Sequence, residues 1–386
     1  MLKLFYVCYF VVVGVSLPFF PPYLRKLGLT GREVSAILMV APLFQMAIPL
    51  AWGWLADRTR RPDRILRILC LSATLASLPV IFVRTMPALW FLILCQQFFA
   101  VSIMSIGDAL AVEKARSGED YSRIRLWGSL SFIVVCLMVG PWLDWRGKLH
   151  GDVLVPLLIS IGLGASYIAS LGLKGQAKHE SPHLRDVREL IRDSRFRFLL
   201  VIAGVHWMCL VPYHGYFGIL LQDRGFSARI TSYAFIVGAT AEIAVFLLFS
   251  RLQTRIPLVS LFSISFAVSV VRWWLFAFTQ SAYLIVATQA LHAVTYGLFW
   301  ATSMAWMGER VPTKLRATGQ VLFTTTLGLG SFLGLLATGA LYDFTGGAGV
   351  SFTLAGVLDI LPLVLVIRMR SKMQSNAKMA AMASGH

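Results

Sequence analysis

The stretch KGQAKHESPHLRDVRELIRDSRFR, residues 174–197, is the longest polar segment of the chain and carries seven Lys and Arg side chains. Apolar runs flank it on both sides. A helix rises about 1.5 Å per residue, so crossing ~30 Å of hydrocarbon takes about 20 mainly apolar residues. Six such runs precede the stretch, at 4–24, 33–55, 64–84, 87–112, 122–142 and 153–173; six follow it, at 197–221, 230–250, 258–278, 282–306, 316–341 and 349–369. The pattern predicts an all-α membrane protein with twelve transmembrane helices in two pseudo-symmetric six-helix bundles. The bundles are residues 1–173 and 197–386, the latter ending in a short tail, with a cytoplasmic linker at 174–196. The ten-residue alternating segments of a membrane β-barrel do not occur.

Composition agrees with this reading. Of 386 residues, 57% are hydrophobic and 14% charged, against about 25% charged in soluble domains. A net charge of +17 raises the question of a nucleic-acid partner, and the placement of the charges answers it. With the N-terminus inside, the inner loops, tails and adjoining helix ends hold 26 of the 35 Lys and Arg, the outer side holds 8, and Arg272 alone lies deep in a span. That bias is the positive-inside pattern. It puts both termini in the cytoplasm of a bacterial-type inner membrane and leaves no need for nucleic acid. The first span has no small-residue cleavage site behind it and reads as a retained helix, not a signal peptide. The five cysteines fall in five different spans, so neither a disulfide nor a metal site is expected, and no cofactor motif occurs. HExxH, GxxxxGK[ST] and nucleophile motifs are also absent, so the chain does not read as an enzyme.

An internal echo runs at an offset of 197. Gly28-Leu29-Thr30-Gly31-Arg32 opens the second span and Gly225-Phe226-Ser227-Ala228-Arg229 the eighth, with Ser35 matching Ser232 and Gln45 opposite Glu242. A second echo joins Gly128-Ser129 through Leu143-Asp144 in span five to Gly330-Ser331 through Tyr342-Asp343 in span eleven, with spacings that differ by three residues. Together these point to a duplicated six-helix unit.

Ionisable side chains inside lipid cost upward of ~2.5 kcal/mol each and normally face a cavity or a partner. Asp108, His206, His214, Glu242, Arg272, His292 and Asp359 fall well inside the runs. On span ten, Gln289, His292, Tyr296 and Trp300 share one helical face, and span nine presents Ser265, Ser269 and Arg272 in the same way. These stripes predict a polar, aromatic pathway through the second half. His214 stands in the aromatic run Pro212-Tyr213-His214-Gly215-Tyr216. Asp359 has no obvious partner in sequence, and a lone His206 is more often a packing residue than a site.

The segment Gly53-Trp54-Leu55-Ala56-Asp57-Arg58-Thr59-Arg60-Arg61 resembles the loop signature of the major facilitator superfamily, with Arg60 standing where that signature has its second glycine. By resemblance, Gly53, Asp57, Arg58 and Arg61 gate the cytoplasmic side. Asp120 to Ser129, Ala241-Glu242, Gln289 to His292 and Ala317 to Gln320 resemble the phenylpropionate permease group, which is similar to the lactose and nucleoside proton symporters. Carried over from the lactose permeases, the functional positions are Arg125, Glu242, Arg272 and His292, with Asp108 an approximate match. The carboxylate three residues past the histidine is Thr295 here, and a sugar-stacking tryptophan is Phe132.

The resemblance implies a proton-coupled symporter of a small organic solute working by alternating access, with an aromatic carboxylate as leading substrate. A nucleoside or sugar symporter, or a non-transporting sensor or scaffold of the same fold, are the alternatives. The expected solute contacts are Asp108, Arg125, Phe132, His214, Gln289, Tyr296 and Trp300; the expected proton site is Glu242, Arg272 and His292. The partners are the solute, protons and membrane lipid, and the chain is expected to be a monomer.

Overall fold

The computed structural model describes all residues except 117–120, 147–152, 176–187, 189, 313–314 and 385–386, so much of the expected linker lies outside the described residues. Among those described, eleven helices are long and apolar enough to cross a membrane. A bent pair, 31–45 with 48–56, meets at 41° and supplies a twelfth span. The spans, in order, begin with Leu2–Lys26; a broken second of Gly31–Leu38, Val40–Gln45 and Ile48–Thr59; Pro62–Ser77; and Met86–Ala100 with Ile103–Arg116. They continue through Tyr121–Arg146, Leu154–Leu171, Ser194–Asp223, Ala228–Arg255 and Leu258–Phe278. Span ten is the most irregular, and Arg316–Thr345 and Gly349–Ser384 complete the set.

Large apolar side chains along the spans point outward, as Leu247 and Ile168 do at 67% exposure or more. In water such a surface would aggregate; around a helical bundle it is the face offered to acyl chains.

The chain divides into two compact units. The first is Met1–Ser181 with Val211–Ile236 and Ser331–Ala348; the second is Pro182–Leu210, Val237–Gly330 and Gly349–His386. Spans seven, eight and eleven therefore each give one end to the first unit and the remainder to the second. Inside the second unit, Phe196, Phe262, Phe266, Phe299, Trp306 and Phe323 form the centre of a buried apolar core.

The echo at offset 197 is a structural repeat of the turns. Gly28 and Gly225 both adopt positive φ, 86° and 75°, and release the chain from spans one and seven into the next helix. Thr30 then caps span two, its side chain and that of Glu33 closing a reciprocal capping box.

Arg60 also lies at positive φ, 53°, the only non-glycine among the described residues to do so. The family's loop asks for a glycine there, and the backbone keeps the left-handed turn with an arginine in it. A side chain in that region costs about 1–2 kcal/mol, while glycine returns roughly 0.5–1 kcal/mol through the entropy of the unfolded chain. Arg60→Gly should therefore raise stability by about 0.5–1 kcal/mol, seen as a higher midpoint of thermal unfolding in detergent, whereas Arg60→Ala should bring no gain. An unchanged or lower midpoint for the glycine variant would contradict the assignment.

Candidate functional site

Three groups of polar side chains stand apart from the apolar body. The first lies within the first unit, at the helix ends next to Gly28 and Gly225. Asp343, at the end of span eleven, accepts from the backbone N–H groups of Gly31 and Arg32 at 2.5 and 2.9 Å. Asp144, at the end of span five, accepts from those of Ala228 and Arg229 at 2.7 and 3.1 Å. Each carboxylate thus satisfies orphan donors at the start of another span, where the helix dipole also favours a negative charge. Arg32 and Arg229 reach the same carboxylates at 3.8 and 3.9 Å, largely exposed and so adding little. The two joints are copies: Gly31 and Ala228 are 197 residues apart, as are Ser35 and Ser232.

Glycines let these joints close. A Cβ on Gly140 would lie 1.8 Å from Ser232 Oγ and 2.8 Å from the Ala228 carbonyl. One on Gly339 would lie 2.4 Å from Ser35 Oγ and 2.7 Å from the Gly31 carbonyl. Ser35 in turn bonds Tyr216 and the Leu335 carbonyl, and Tyr342 donates to Asp223.

The second group is also in the first unit. Asp108 on span four receives the Tyr6 hydroxyl of span one and sits 3.7 Å from Arg125 of span five. Arg125 is half exposed and Asp108 about one-third exposed. Tyr6 was not expected here; a tyrosine in an apolar first span carries no signal of its partner. Phe132 packs with Phe235, which stacks on Tyr213, beside His214.

The third group crosses the second unit. Glu242 of span eight lies 3.7 Å from His292 Nε2 of span ten, and its side chain is 23% exposed. Arg272, wholly buried on span nine, meets His292 Nδ1 at 3.3 Å, donates to Thr295 Oγ1 at 2.8 Å and to Gln289 Oε1 at 2.9 Å. Its guanidinium also covers the rings of Trp273 and Phe276 at 5.0 Å. Gly297 eases this approach, since a Cβ there would crowd Glu242 Cγ at 3.2 Å.

Span ten is not one α-helix here. It runs Ala282–Thr288, then a 3₁₀ turn Gln289–Leu291, then a π segment Ala293–Leu298, and resumes at Phe299–Arg310. A π segment adds a residue to the turn and redirects side chains and carbonyls, and such segments concentrate at functional sites. Across it the expected aromatic face forms: His292 stacks on Tyr296 at 5.1 Å, Tyr296 on Trp300 at 6.3 Å, and Trp207 of span seven closes on Tyr296 and Trp300.

The structure thus brings together Glu242, Arg272, His292 and Gln289, with Tyr296 and Trp300 alongside, and separately Asp108 with Arg125. Ser265 and Ser269 differ from the expected water-facing stripe. Both are fully buried, and their hydroxyls bond the carbonyls of Val294 and Ser265, so they serve helix contacts. Gln289, also fully buried, faces Arg272.

Of the loop residues, Gly53 and Arg58 lie in Ile48–Thr59, with Arg58 over the Trp54 ring at 5.2 Å; Arg61 precedes the next helix. The Asp57 side chain lies outside what the structure describes. Among the described residues no group of three or more His, Cys, Asp or Glu could hold a metal ion.

A family model described as "MFS_1 like family" matches residues 1–353. The chain belongs to that family. As an MFS_1-like protein it is a membrane transporter of the major facilitator fold. It is 26% identical over 356 residues to the probable 3-phenylpropionic acid transporter of Escherichia coli strain K12, covering 89% of this chain and 91% of that protein. It is 25% identical over 372 residues to the maltose permease of Geobacillus stearothermophilus, covering 95% and 93%. The crystal structure of the nucleoside transporter NupG superposes with a TM-score of 0.80 over 96% of this chain and 97% of that one. At 17% identity that likeness speaks for the fold alone.

Proposed function

We propose that this MFS_1-like protein is a proton-coupled symporter of a small organic anion bearing an aromatic ring. The observation that carries the proposal is Glu242: a carboxylate in mid-span, still reached by solvent, beside His292 and in one cluster with the buried Arg272. A buried net charge is expensive, so the cluster has to stay near neutral while the pathway closes. With Glu242 ionised, its charge offsets that of Arg272. Once Glu242 takes a proton, the cationic side of the cluster is left for the carboxylate of a solute, so proton and anion enter together. Trp207, Tyr296 and Trp300 offer the ring a stacking surface continuous with His292.

In this proposal residues 1–173 and 197–386 are the two moving halves, joined by 174–196, and a single chain suffices. The membrane is a bacterial-type inner membrane with both termini in the cytoplasm. The Asp144 and Asp343 joints are then the closed outer gate, and Asp57, with Arg58 and Arg61, latches the inner one. Arg125, Phe132 and His214 in the first unit stay candidates for solute contact. The exposed edge of Asp108, held by Tyr6, favours the second reading, in which a nucleoside or sugar is hydrogen-bonded there.

A thermal-shift series separates the two. A ligand at about 100 times its Kd adds ~2.7 kcal/mol to apparent stability. 3-Phenylpropionate should stabilise the purified protein, more so at acidic pH, and Trp300→Ala should weaken the effect. Stabilisation by uridine or maltose with none from 3-phenylpropionate would reverse the choice.

A further inference from the structure

Behind the proton site, and wholly within the second unit, lies a pair that the proposed cycle does not use. His206 of span seven meets Asp359 of span twelve, Nδ1 to Oδ1, at 2.8 Å, and both are fully buried. The other ring nitrogen, Nε2, stands 2.9 Å from the Thr295 carbonyl, and Asp359 Oδ2 accepts from the Trp273 indole at 2.9 Å. Phe266 and Phe299 close over the imidazole at 4.9 and 4.6 Å.

These contacts settle the proton count. A carbonyl oxygen only accepts, so Nε2 must carry hydrogen. A bare nitrogen cannot face a bare carboxylate at 2.8 Å, so one further proton lies between Nδ1 and Oδ1. On whichever atom that proton rests, the pair as a whole is neutral. Thr295 is the pivot: its carbonyl is held by His206 from one side while its hydroxyl receives Arg272 from the other. Thr295 lies inside the π segment, whose widened turn redirects its carbonyls toward neighbouring spans.

We propose that Asp359 and His206 are positioning residues: they share one proton that does not turn over, and they clamp the π segment so that Arg272 and His292 stand correctly beside Glu242. Asp359 fixes the tautomer of His206, His206 fixes Thr295, and Thr295 fixes Arg272, as an outer carboxylate fixes a histidine in many sites. Away from the span ends, the other titratable or charged groups of this unit's spans are Cys209, Glu242, Arg272, His292 and Tyr296. Solvent reaches Glu242 but not the pair, which is why the exchanging proton belongs to the former.

The proposal rests on the proton-coupled reading, and its tests are chosen to fail separately from it. In purified protein labelled with ¹⁵N-histidine, with His206 identified through His206→Gln, the His206 Nε2 should show a directly bonded hydrogen, as donation to the Thr295 carbonyl requires. A bare Nε2 would overturn the proposal whatever the transport result. In proteoliposomes given radiolabelled 3-phenylpropionate from outside, Asp359→Asn should keep proton-driven accumulation within about twofold, since an amide can donate to Nδ1 while accepting from Trp273. Asp359→Leu and Thr295→Val, which each break one link, should lower it about tenfold or more. Loss in Asp359→Asn equal to that in Asp359→Leu would make the pair a proton carrier, and full accumulation in Asp359→Leu would deny it any role. Should Asp359→Leu fail to insert, Thr295→Val and the resonances decide. Wild-type protein that shows no proton-driven accumulation would sink the symport reading, and the resonances alone would then judge the pair.

Discussion

Leucine in place of both Gly140 and Gly339 is expected to abolish net transport while leaving ligand binding in place. Added Cβ atoms alone would fall 1.8 and 2.4 Å from serine hydroxyl oxygens, and the backbone carbonyls of Ala228 and Gly31 leave no room behind them. Overpacking costs about 1–3 kcal/mol at each site, and opening the joints also forfeits the bonds of Asp144 and Asp343 to the helix N-termini. The sum, roughly 2–6 kcal/mol, is comparable with the ~5.5 kcal/mol that moves a two-state equilibrium from 1:99 to 99:1. The double variant should therefore be held with these joints open. A cysteine introduced at Thr338, buried next to Gly339 in the chain, should become reactive to a membrane-impermeant thiol reagent in a background lacking the five native cysteines. Uptake within about twofold of wild type, with Thr338→Cys still protected, would show that the joints do not form a gate.

Glu242→Gln is expected to separate exchange from accumulation. The amide keeps the size and much of the hydrogen bonding of a protonated glutamic acid, so the variant resembles the loaded state permanently. It has no proton to release, and so a pH gradient cannot drive it. Exchange of labelled for unlabelled solute should continue at a rate within about tenfold of wild type, whereas uphill accumulation should vanish. If the variant still concentrates solute with unchanged proton stoichiometry, Asp108, held by Tyr6 and close to Arg125, becomes the proton-binding group.

Much of the fold was legible because lipid imposes a simple rule: runs of about 20 apolar residues separated by charge. The repeat was legible too, since Gly28 and Gly225 must each supply a left-handed turn. What lay beyond reach was which end meets which. Nothing in the spacing says that Asp144 caps span eight and Asp343 span two, because the choice depends on how helices are arranged around one another. Asp359 looked unpartnered for the same reason, with His206 lying 153 residues away. The aromatic face of His292, Tyr296 and Trp300 followed from helical periodicity, yet the 3₁₀ turn and π segment in which Gln289 and Thr295 meet Arg272 left no mark on it. Ser265 and Ser269 misled for a related reason: a hydroxyl on a helix satisfies itself on a nearby carbonyl as readily as it faces water.

The central claim, that solute and proton cross in one coupled event, is tested most directly in proteoliposomes carrying a pH-sensitive dye inside. With no pH gradient imposed and the membrane potential clamped at zero, 3-phenylpropionate supplied outside at a pH where it is fully ionised should drive entry of protons along with it. Glu242→Gln should show no such entry. Solute uptake by the wild type with no acidification of the interior, or acidification that persists in Glu242→Gln, would contradict the account.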